Sequence, residues 1–219
     1  AVKYNMLIAF PEFSTKKYPG ARWYQEGNVQ DKEGEEGTIQ PRNHWSFDAV
    51  SHIVAAVRAR THAKGKVIIF GHSAGGQFMH RYSLLDGRAD VDAIVCANAG
   101  WFTMPDDTTC YPYGTKGLGL SDADLASAFA LPVIMLMGSE DVSREQPFRA
   151  TPEADAQGKN RMERCLHYFD ACQKKAEELG VPFNWKKGVV EGAAHEGGKM
   201  AEGAMKLFCE EPLDETVGM

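Results

Sequence analysis

Short apolar runs alternate with helical patterns along this chain, and this alternation restricts the possible folds more than any other feature. The runs that predict strands lie at residues 6–10, 67–70, 93–97, 133–137 and 183–190. The first four are continuously apolar, which is typical of strands covered on both faces. Apolar residues at helical spacing predict helices at 45–60, 74–85, 161–179 and 199–209. This order predicts an α/β fold, in which helices flank a mostly parallel sheet.

Length and charge limit the class of protein. With 219 residues and 43% hydrophobic content, the chain is long enough for one well-buried core, and we expect a single domain over residues 1–219. The net charge of −6 provides no basic stripe for nucleic acid or for an anionic membrane. The longest apolar run, at 131–137, is far shorter than the roughly 18 to 20 residues that span a bilayer. These observations favour a small-molecule substrate as the partner.

The cysteines bear on the compartment. Their number, five, is odd. Cys165 and Cys172 fall on one predicted helix at a separation of about 10 Å, too far apart to pair with each other. We therefore expect mostly free thiols, which favour a reducing compartment such as the cytoplasm.

A Gly-x-Ser-x-Gly sequence at residues 71–75 follows the second predicted strand and leads into a predicted helix. Small residues on both sides let the chain turn so sharply that Ser73 is exposed at the start of the helix. A Gly-rich turn that only caps the helix is the alternative. The strand before the turn and the helix after it favour the first interpretation, in which Ser73 is a nucleophile.

A serine hydroxyl is a weak nucleophile until a base removes its proton and an acid orients that base. Asp141 follows the predicted strand at 133–137 and is the candidate acid, ahead of its neighbour Glu140. His195 lies in a loop of small residues after the last strand and is the candidate base. The other histidines, including His72 inside the turn, are interpreted as packing or solvated residues.

Sequence patterns for metals and cofactors are absent. The chain contains no His-Glu-x-x-His, no Cys-x-x-Cys pair, no P-loop lysine motif and no dinucleotide fingerprint. We therefore expect no metal site and chemistry that needs no cofactor.

The chain order of Ser73, Asp141 and His195 resembles that of the α/β-hydrolase superfamily. A narrower resemblance is to bacterial esterases of the poly(3-hydroxybutyrate) depolymerase-like group. It extends over nearly the whole chain, and besides the serine turn and the His195 loop it is carried by Pro11-Glu12-Phe13, Tyr18-Pro19-Gly20, Gly27-Asn28, Asn98-Ala99-Gly100-Trp101-Phe102-Thr103-Met104-Pro105, Tyr111-Pro112-Tyr113-Gly114 and Gln157-Gly158-Lys159-Asn160-Arg161. The resemblance implies an ester-cleaving enzyme more firmly than it implies a polymer substrate.

The resemblance also implies a hydrolase fold that is shortened at the N-terminus. In the superfamily, the strand that resembles residues 6–10 is the fourth, and a His-Gly loop upstream of it provides one of the two amides of the oxyanion hole. The amide of Ala74 is then one donor, and the source of the second is open. The missing upstream part has three possible explanations: truncation or cleavage of the chain, a naturally short gene, or a second donor from residues 10–13 or from a partner subunit. A short sheet with an exposed edge strand favours a homo-oligomer.

The stretch from about residue 100 to 130 is predicted to be a loop insertion near the active site. Four aromatic residues in it are candidates for the walls of an acyl or aromatic pocket, namely Trp101, Phe102, Tyr111 and Tyr113. Packing of the loop onto the body of the protein is the alternative for each of them. Arg161 is a candidate for contacting a substrate carboxylate, with a role at the start of a helix as the alternative.

Together these features predict a serine hydrolase that cleaves carboxylic esters through an acyl-enzyme. Ser73 is the nucleophile, His195 the base and Asp141 the acid that orients it. Small acyl esters are favoured over long lipids because no extended apolar lid is visible. A degenerate hydrolase fold that binds a ligand without turnover is the alternative, and a lyase or a perhydrolase on the same fold is a third possibility.

Overall fold

A computed structural model describes residues 4–87, 91–144 and 147–209 of the chain. Four parallel strands form its sheet, in the order β1-β2-β3-β4. The strands are β1 (Ile68–His72), β2 (Ala93–Ala97), β3 (Val133–Gly138) and β4 (Lys186–Val190). Parallel neighbours require crossover connections, and helices provide them here. The predicted α/β fold with a mostly parallel sheet flanked by helices is therefore confirmed.

Seven α-helices accompany the sheet in the described parts of the chain. They are α1 (Gly20–Trp23), α2 (Asp48–Thr61), α3 (Ala74–Leu85), α4 (Asp122–Phe129), α5 (Pro152–Ala156), α6 (Arg161–Leu179) and α7 (Gly197–Cys209). The bounds of α3 and α6 are those predicted, whereas α1, α4 and α5 lie in stretches for which no helix was expected. A capping box between Ser121 and Asp124 starts α4. None of these helices has the length and apolar composition needed to cross a membrane.

Alternate residues of the central strands face two separate apolar layers. Ile94 of β2 and Met135 of β3 pack into one core with side chains of α3 and α6. Val95 and Leu136, their neighbours in sequence, pack on the other face together with Met200 of α7. Because helices cover both faces, β2 and β3 are buried along their whole length, which explains why their sequences are continuously apolar.

The prediction of a strand at residues 6–10 is wrong. The segment has no strand structure, and its large side chains are exposed to solvent, by 53% for Leu7, 48% for Ile8 and 90% for Phe10. A strand needs a neighbour that completes its backbone hydrogen bonds. Among the described residues, β1 pairs with β2 only, and no strand pairs with its other edge. Apolar composition without a paired neighbour does not produce a strand here.

Two other strand boundaries differ from the prediction for reasons visible in the contacts. β4 begins only at Lys186, because the two residues before it form hydrogen bonds with the end of α4 and not with β3. The backbone amide of Asn184 donates to the Phe129 carbonyl oxygen at 2.9 Å, and the Trp185 indole donates to the Ala128 carbonyl oxygen at 2.9 Å. β1 continues to His72, beyond the predicted end, and so leads directly into Ser73. None of the five cysteines forms a disulfide in the described structure.

Candidate active site

Ser73 lies in the sharp turn between β1 and α3. Its backbone has φ of 55° and ψ of −112°, a strained conformation for a residue with a side chain. Glycines make room for this turn, because a Cβ at Gly71 would collide with the carbonyl of Gly75, and one at Gly76 would collide with the carbonyl of Ala97. The Ser73 amide donates to the Ala97 carbonyl oxygen at 2.9 Å, which ties the turn to β2. The turn thus presents the Ser73 hydroxyl at the start of α3.

His195 joins Ser73 to Asp141 through two hydrogen bonds. Its Nε2 is 2.8 Å from Ser73 Oγ, and its Nδ1 is 2.7 Å from Asp141 Oδ2. A carboxylate can only accept, so Nδ1 carries the proton and Nε2 is left to accept the serine proton. The three residues follow β1, β3 and β4, and the carboxyl ends of parallel strands meet at one edge of the sheet. The structure therefore brings together the three side chains that the sequence selected.

The second oxygen of the Asp141 carboxylate is paired with an arginine. Arg161 Nη1 donates to Asp141 Oδ1 at 3.1 Å, and Nη2 donates to the Pro147 carbonyl oxygen at 2.9 Å. Both side chains of the pair are only 3% exposed, so each charge depends on the other for compensation. Arg161 therefore orients the carboxylate from inside the protein instead of facing a substrate. Glu140, the alternative acid, is exposed.

His72 packs directly against the candidate base. The imidazole rings of His72 and His195 have centroids 4.7 Å apart. Burial, followed by the charge of His195, lowers the pKa of His72 to about 4. His72 is therefore neutral at neutral pH, and it lies beside His195 without adding a positive charge. This contact agrees with the interpretation of His72 as a packing neighbour.

Asn98 connects the loops that carry the candidate acid and the candidate base. Its Nδ2 donates to the Ala194 carbonyl oxygen at 3.1 Å, and its Oδ1 accepts from the Gly138 amide at 2.8 Å. One side chain thus ties the end of β3 to the residue that precedes His195. In the sequence, Asn98 stands out only as part of the family resemblance. No local pattern reveals its role, because its partners lie 40 and 96 residues away.

The four aromatic residues expected near the substrate lie in the protein interior. Phe102 and Tyr111 belong to the main apolar core, and the Tyr111 hydroxyl donates to the Glu26 carbonyl oxygen at 2.5 Å. Trp101 and Tyr113 are buried as well, with ring centroids 4.9 Å apart. These contacts support the alternative that the loop packs onto the body of the protein. A role of the four residues in substrate binding stays a prediction.

A different aromatic group lies beside the start of α3. We call Phe13, Tyr18 and Tyr24 the aromatic rim, because all three are partly exposed and the Phe13 ring lies 4.8 Å from Tyr18 and 4.9 Å from Tyr24. A Cβ at Gly75 would lie 3.2 Å from the Tyr24 hydroxyl. From the sequence, Phe13 was expected only as part of residues 10–13, a possible source of the second oxyanion donor, and neither tyrosine was expected at the site. Phe13 and Tyr24 are placed there by packing against Phe78 of α3, and Tyr18 by packing against Phe13.

The site also offers a backbone donor. Ala74 is the first residue of α3, and amides in the first turn of a helix have no acceptor within the helix. Such amides can donate to an anionic oxygen bound at the helix start. Among the residues that the structure describes, no group of three or more His, Cys, Asp or Glu side chains could hold a metal ion.

Two solved structures are similar to this chain over most of its length. Poly(aspartic acid) hydrolase-1 from Sphingomonas sp. KT-1 has 36% sequence identity and a TM-score of 0.82, with a match that covers 90% of this chain and 74% of that one. LpqC, the poly(3-hydroxybutyrate) depolymerase from Bordetella parapertussis, has 34% identity and a TM-score of 0.81, with coverage of 90% and 67%. No protein-family model matches the sequence, and neither does any curated protein sequence.

Proposed function

Because the chain belongs to the α/β-hydrolase family that these two proteins represent, we propose that it is a serine hydrolase that cleaves carboxylic esters with small or aromatic acyl groups. The observation that carries the proposal is the continuous hydrogen-bond chain from Ser73 through His195 to Asp141, with distances of 2.8 and 2.7 Å. A nucleophile, a base and an orienting acid in contact are the arrangement that activates a serine hydroxyl.

In the proposed reaction, Ser73 Oγ attacks the acyl carbonyl carbon while its proton moves to His195 Nε2. The new carbon–oxygen bond gives a tetrahedral intermediate with a negative oxygen. This intermediate breaks its bond to the leaving alcohol, which takes the proton from His195, and the acyl group stays on Ser73. Water then repeats the same steps on the acyl-enzyme, which releases the acid and restores the serine.

The surroundings of the three side chains support this sequence of steps. Asp141 accepts from Nδ1 and stabilises the imidazolium that forms when His195 takes the proton. Arg161 compensates the buried carboxylate, so that Asp141 holds the ring in one orientation. The Ala74 amide stabilises the negative oxygen of the intermediate as one donor of the oxyanion hole. The aromatic rim, next to the start of α3, offers an apolar surface for the acyl group.

The names of the two similar proteins point to two kinds of polymer. Poly(3-hydroxybutyrate) is a polyester, whereas the units of poly(aspartic acid) are joined by amides and carry many negative charges. The net charge of −6 on this chain repels a polyanion, and we therefore favour an ester substrate without many carboxylates.

Turnover and covalent labelling test the proposal together. We expect the protein to hydrolyse p-nitrophenyl acetate and to react with a fluorophosphonate probe, with the adduct located on Ser73 by peptide mass spectrometry. Both activities should be lost in Ser73→Ala, which fills the turn with a side chain of similar size and leaves the fold intact. Hydrolysis of 3-hydroxybutyrate oligomers and of poly(aspartic acid), measured as separate substrates, then distinguishes the two polymer classes. A folded protein that neither turns over the ester nor takes the label would favour the binding protein without turnover.

A further inference from the structure

The proposed reaction requires a second hydrogen-bond donor for the oxyanion. Negative charge on the tetrahedral oxygen is normally held by two donors, and loss of one lowers kcat by about 10²- to 10³-fold in a typical serine hydrolase. The Ala74 amide accounts for only one of them. The second donor has to lie close to the first turn of α3, because the oxygen sits between the two donors and next to Ser73.

The Tyr24 hydroxyl reaches that turn. Gly75 directly follows Ala74, and a Cβ built on Gly75 would lie 3.2 Å from the Tyr24 hydroxyl. Apart from the neighbouring residues and the backbone of its own helix, no other atom of the described residues lies within 4 Å of that Cβ. The absence of a side chain at Gly75 therefore leaves open space at the helix start, and this hydroxyl borders that space.

Packing fixes the direction in which the Tyr24 hydroxyl points. The Tyr24 ring stacks on Phe78 of α3, with centroids 5.5 Å apart and planes at 22°. Phe13 contacts the same ring at 4.9 Å. Phe78 lies three residues after Gly75, nearly one turn further along the helix. The ring therefore lies along α3, and its hydroxyl is at the end closer to Ser73.

The same hydroxyl is free to donate. No residue in the described parts of the chain forms a hydrogen bond with it, although most tyrosine hydroxyls that are partly buried find a partner. Burial raises the pKa of Tyr24, so the hydroxyl keeps its proton at neutral pH. This protonated hydroxyl lies next to Gly75 at the start of α3 and has no acceptor among the described residues.

We propose that the Tyr24 hydroxyl is the second donor of the oxyanion hole and that Tyr24 is a catalytic residue. The inference depends on the proposed function, because an oxyanion forms only if Ser73 attacks an acyl group. In the tetrahedral intermediate, the negative oxygen accepts one hydrogen bond from the Ala74 amide and one from Tyr24. No proton is transferred to or from Tyr24 in this step.

Tyr24→Phe tests the inference because it removes one oxygen atom and keeps the ring between Phe13 and Phe78. We expect kcat for p-nitrophenyl acetate to fall by about 10- to 1000-fold while KM changes little, since the bond forms only in the transition state. Affinity for a trifluoromethyl ketone, which forms a tetrahedral adduct on serine, should fall in proportion. Tyr168→Phe is the matched control, because it also removes one tyrosine hydroxyl, from a ring that is fully buried in the core and stacks on Phe102. Its kcat should stay at the wild-type value.

A second variant keeps the test independent of folding defects in the first. Gly75→Ala places a methyl group against the Tyr24 hydroxyl and should also lower kcat. Because both changes act on one hydrogen bond, their effects in the double variant should be clearly less than additive.

The possible results separate this inference from the proposed function. A wild-type protein that does not turn over esters or label Ser73 contradicts the proposed function itself. An active wild type whose Tyr24→Phe variant keeps its kcat, or changes only KM, overturns the role of Tyr24 and leaves the serine hydrolase in place. Fully additive effects of Tyr24→Phe and Gly75→Ala would overturn it as well.

Discussion

Two apolar segments of this chain, β2 and residues 6–10, look alike in sequence and differ completely in structure. β2 is paired on both sides, by β1 and β3, and all of its residues are buried. Residues 6–10 pair with no described strand and expose most of the Phe10 side chain. The candidate site is built at the carboxyl ends of the paired strands, where contacts join residues far apart in the sequence. The comparison teaches that pairing, and not apolar composition, decides which segments can hold a site.

The largest effect, on kcat, is expected when Asp141, the candidate acid at the end of paired strand β3, is changed. Asp141→Asn should lower kcat for p-nitrophenyl acetate by about 10⁴-fold, because an amide at this position favours the wrong tautomer of His195. Steady-state kinetics with labelling of Ser73 measures this loss. Glu140→Gln is the control, since the adjacent carboxylate is exposed and its removal should leave kcat unchanged. A large loss in the Glu140 variant alone would show that the acid has been misassigned.

The next effect is on stability and is expected when Arg161, the charge partner of Asp141, is replaced. Arg161→Met leaves a buried carboxylate without compensation and should lower the free energy of unfolding by about 3 kcal/mol. Urea denaturation measures this change. Arg144→Met offers a matched control, because Arg144 pairs with Asp155 where both side chains are 43% exposed, and it should cost less than about 1 kcal/mol. Equal losses in both variants would contradict the special role of Arg161.

The free energy of unfolding should also fall gradually in acid, because of His72 beside the candidate base. The pKa of His72 is about 4 in the folded protein against an ordinary value of 6.5, because burial disfavours the charged ring. Between these values the unfolded chain binds a proton that the folded protein does not bind, so the free energy of unfolding should fall as the pH is lowered from 6.5 to 4.

Thermal melting from pH 7 to pH 4.5 tests this prediction. His72→Gln should show a shallower fall in melting temperature than the wild type. His52→Gln, which changes an exposed histidine on α2, should follow the wild-type curve. If His72→Gln keeps the full pH dependence, other groups are responsible for it, and the fully buried His80 is the first to consider.

The smallest effect is expected in the unpaired segment. Phe10→Ser should change the free energy of unfolding by less than about 0.5 kcal/mol, as for most exposed positions. Phe78→Ala, in the core against α3, should by contrast cost about 3 to 5 kcal/mol. Chemical denaturation of both variants gives the comparison directly. A loss of more than about 1 kcal/mol in Phe10→Ser would mean that the segment is packed in solution.

Local patterns were sufficient for much of this architecture. The serine turn lies between β1 and α3 as expected, because glycine sterics and a helix start act over a few residues. The bounds of α6 follow from Asn160 as its N-cap and Gly180 at its C-terminus, both readable from the sequence. Asp141 and His195 could be selected because each follows a strand whose carboxyl end had to lie at the same edge.

The remaining features depend on contacts that no local pattern records. Arg161 reaches Asp141 across 20 residues, and Asn98 reaches Ala194 across 96. Tyr24 approaches Gly75 because its ring stacks on Phe78, which lies three residues further along the same helix. The strand prediction at residues 6–10 failed for the same reason, since strand formation depends on a neighbour and not on the segment itself.

Ser73, Asp141 and His195 follow three different strands, and this order affects when the site is completed as the chain is synthesised. Ser73 and Asp141 are synthesised well before His195, which becomes available only after β4 has been translated and added to the edge formed by β3. A nascent chain that stops before β4 holds Ser73 without its candidate base. Recovery of fluorophosphonate labelling after denaturation would therefore report a late step of assembly, the docking of β4, and not the collapse of the core around the earlier strands.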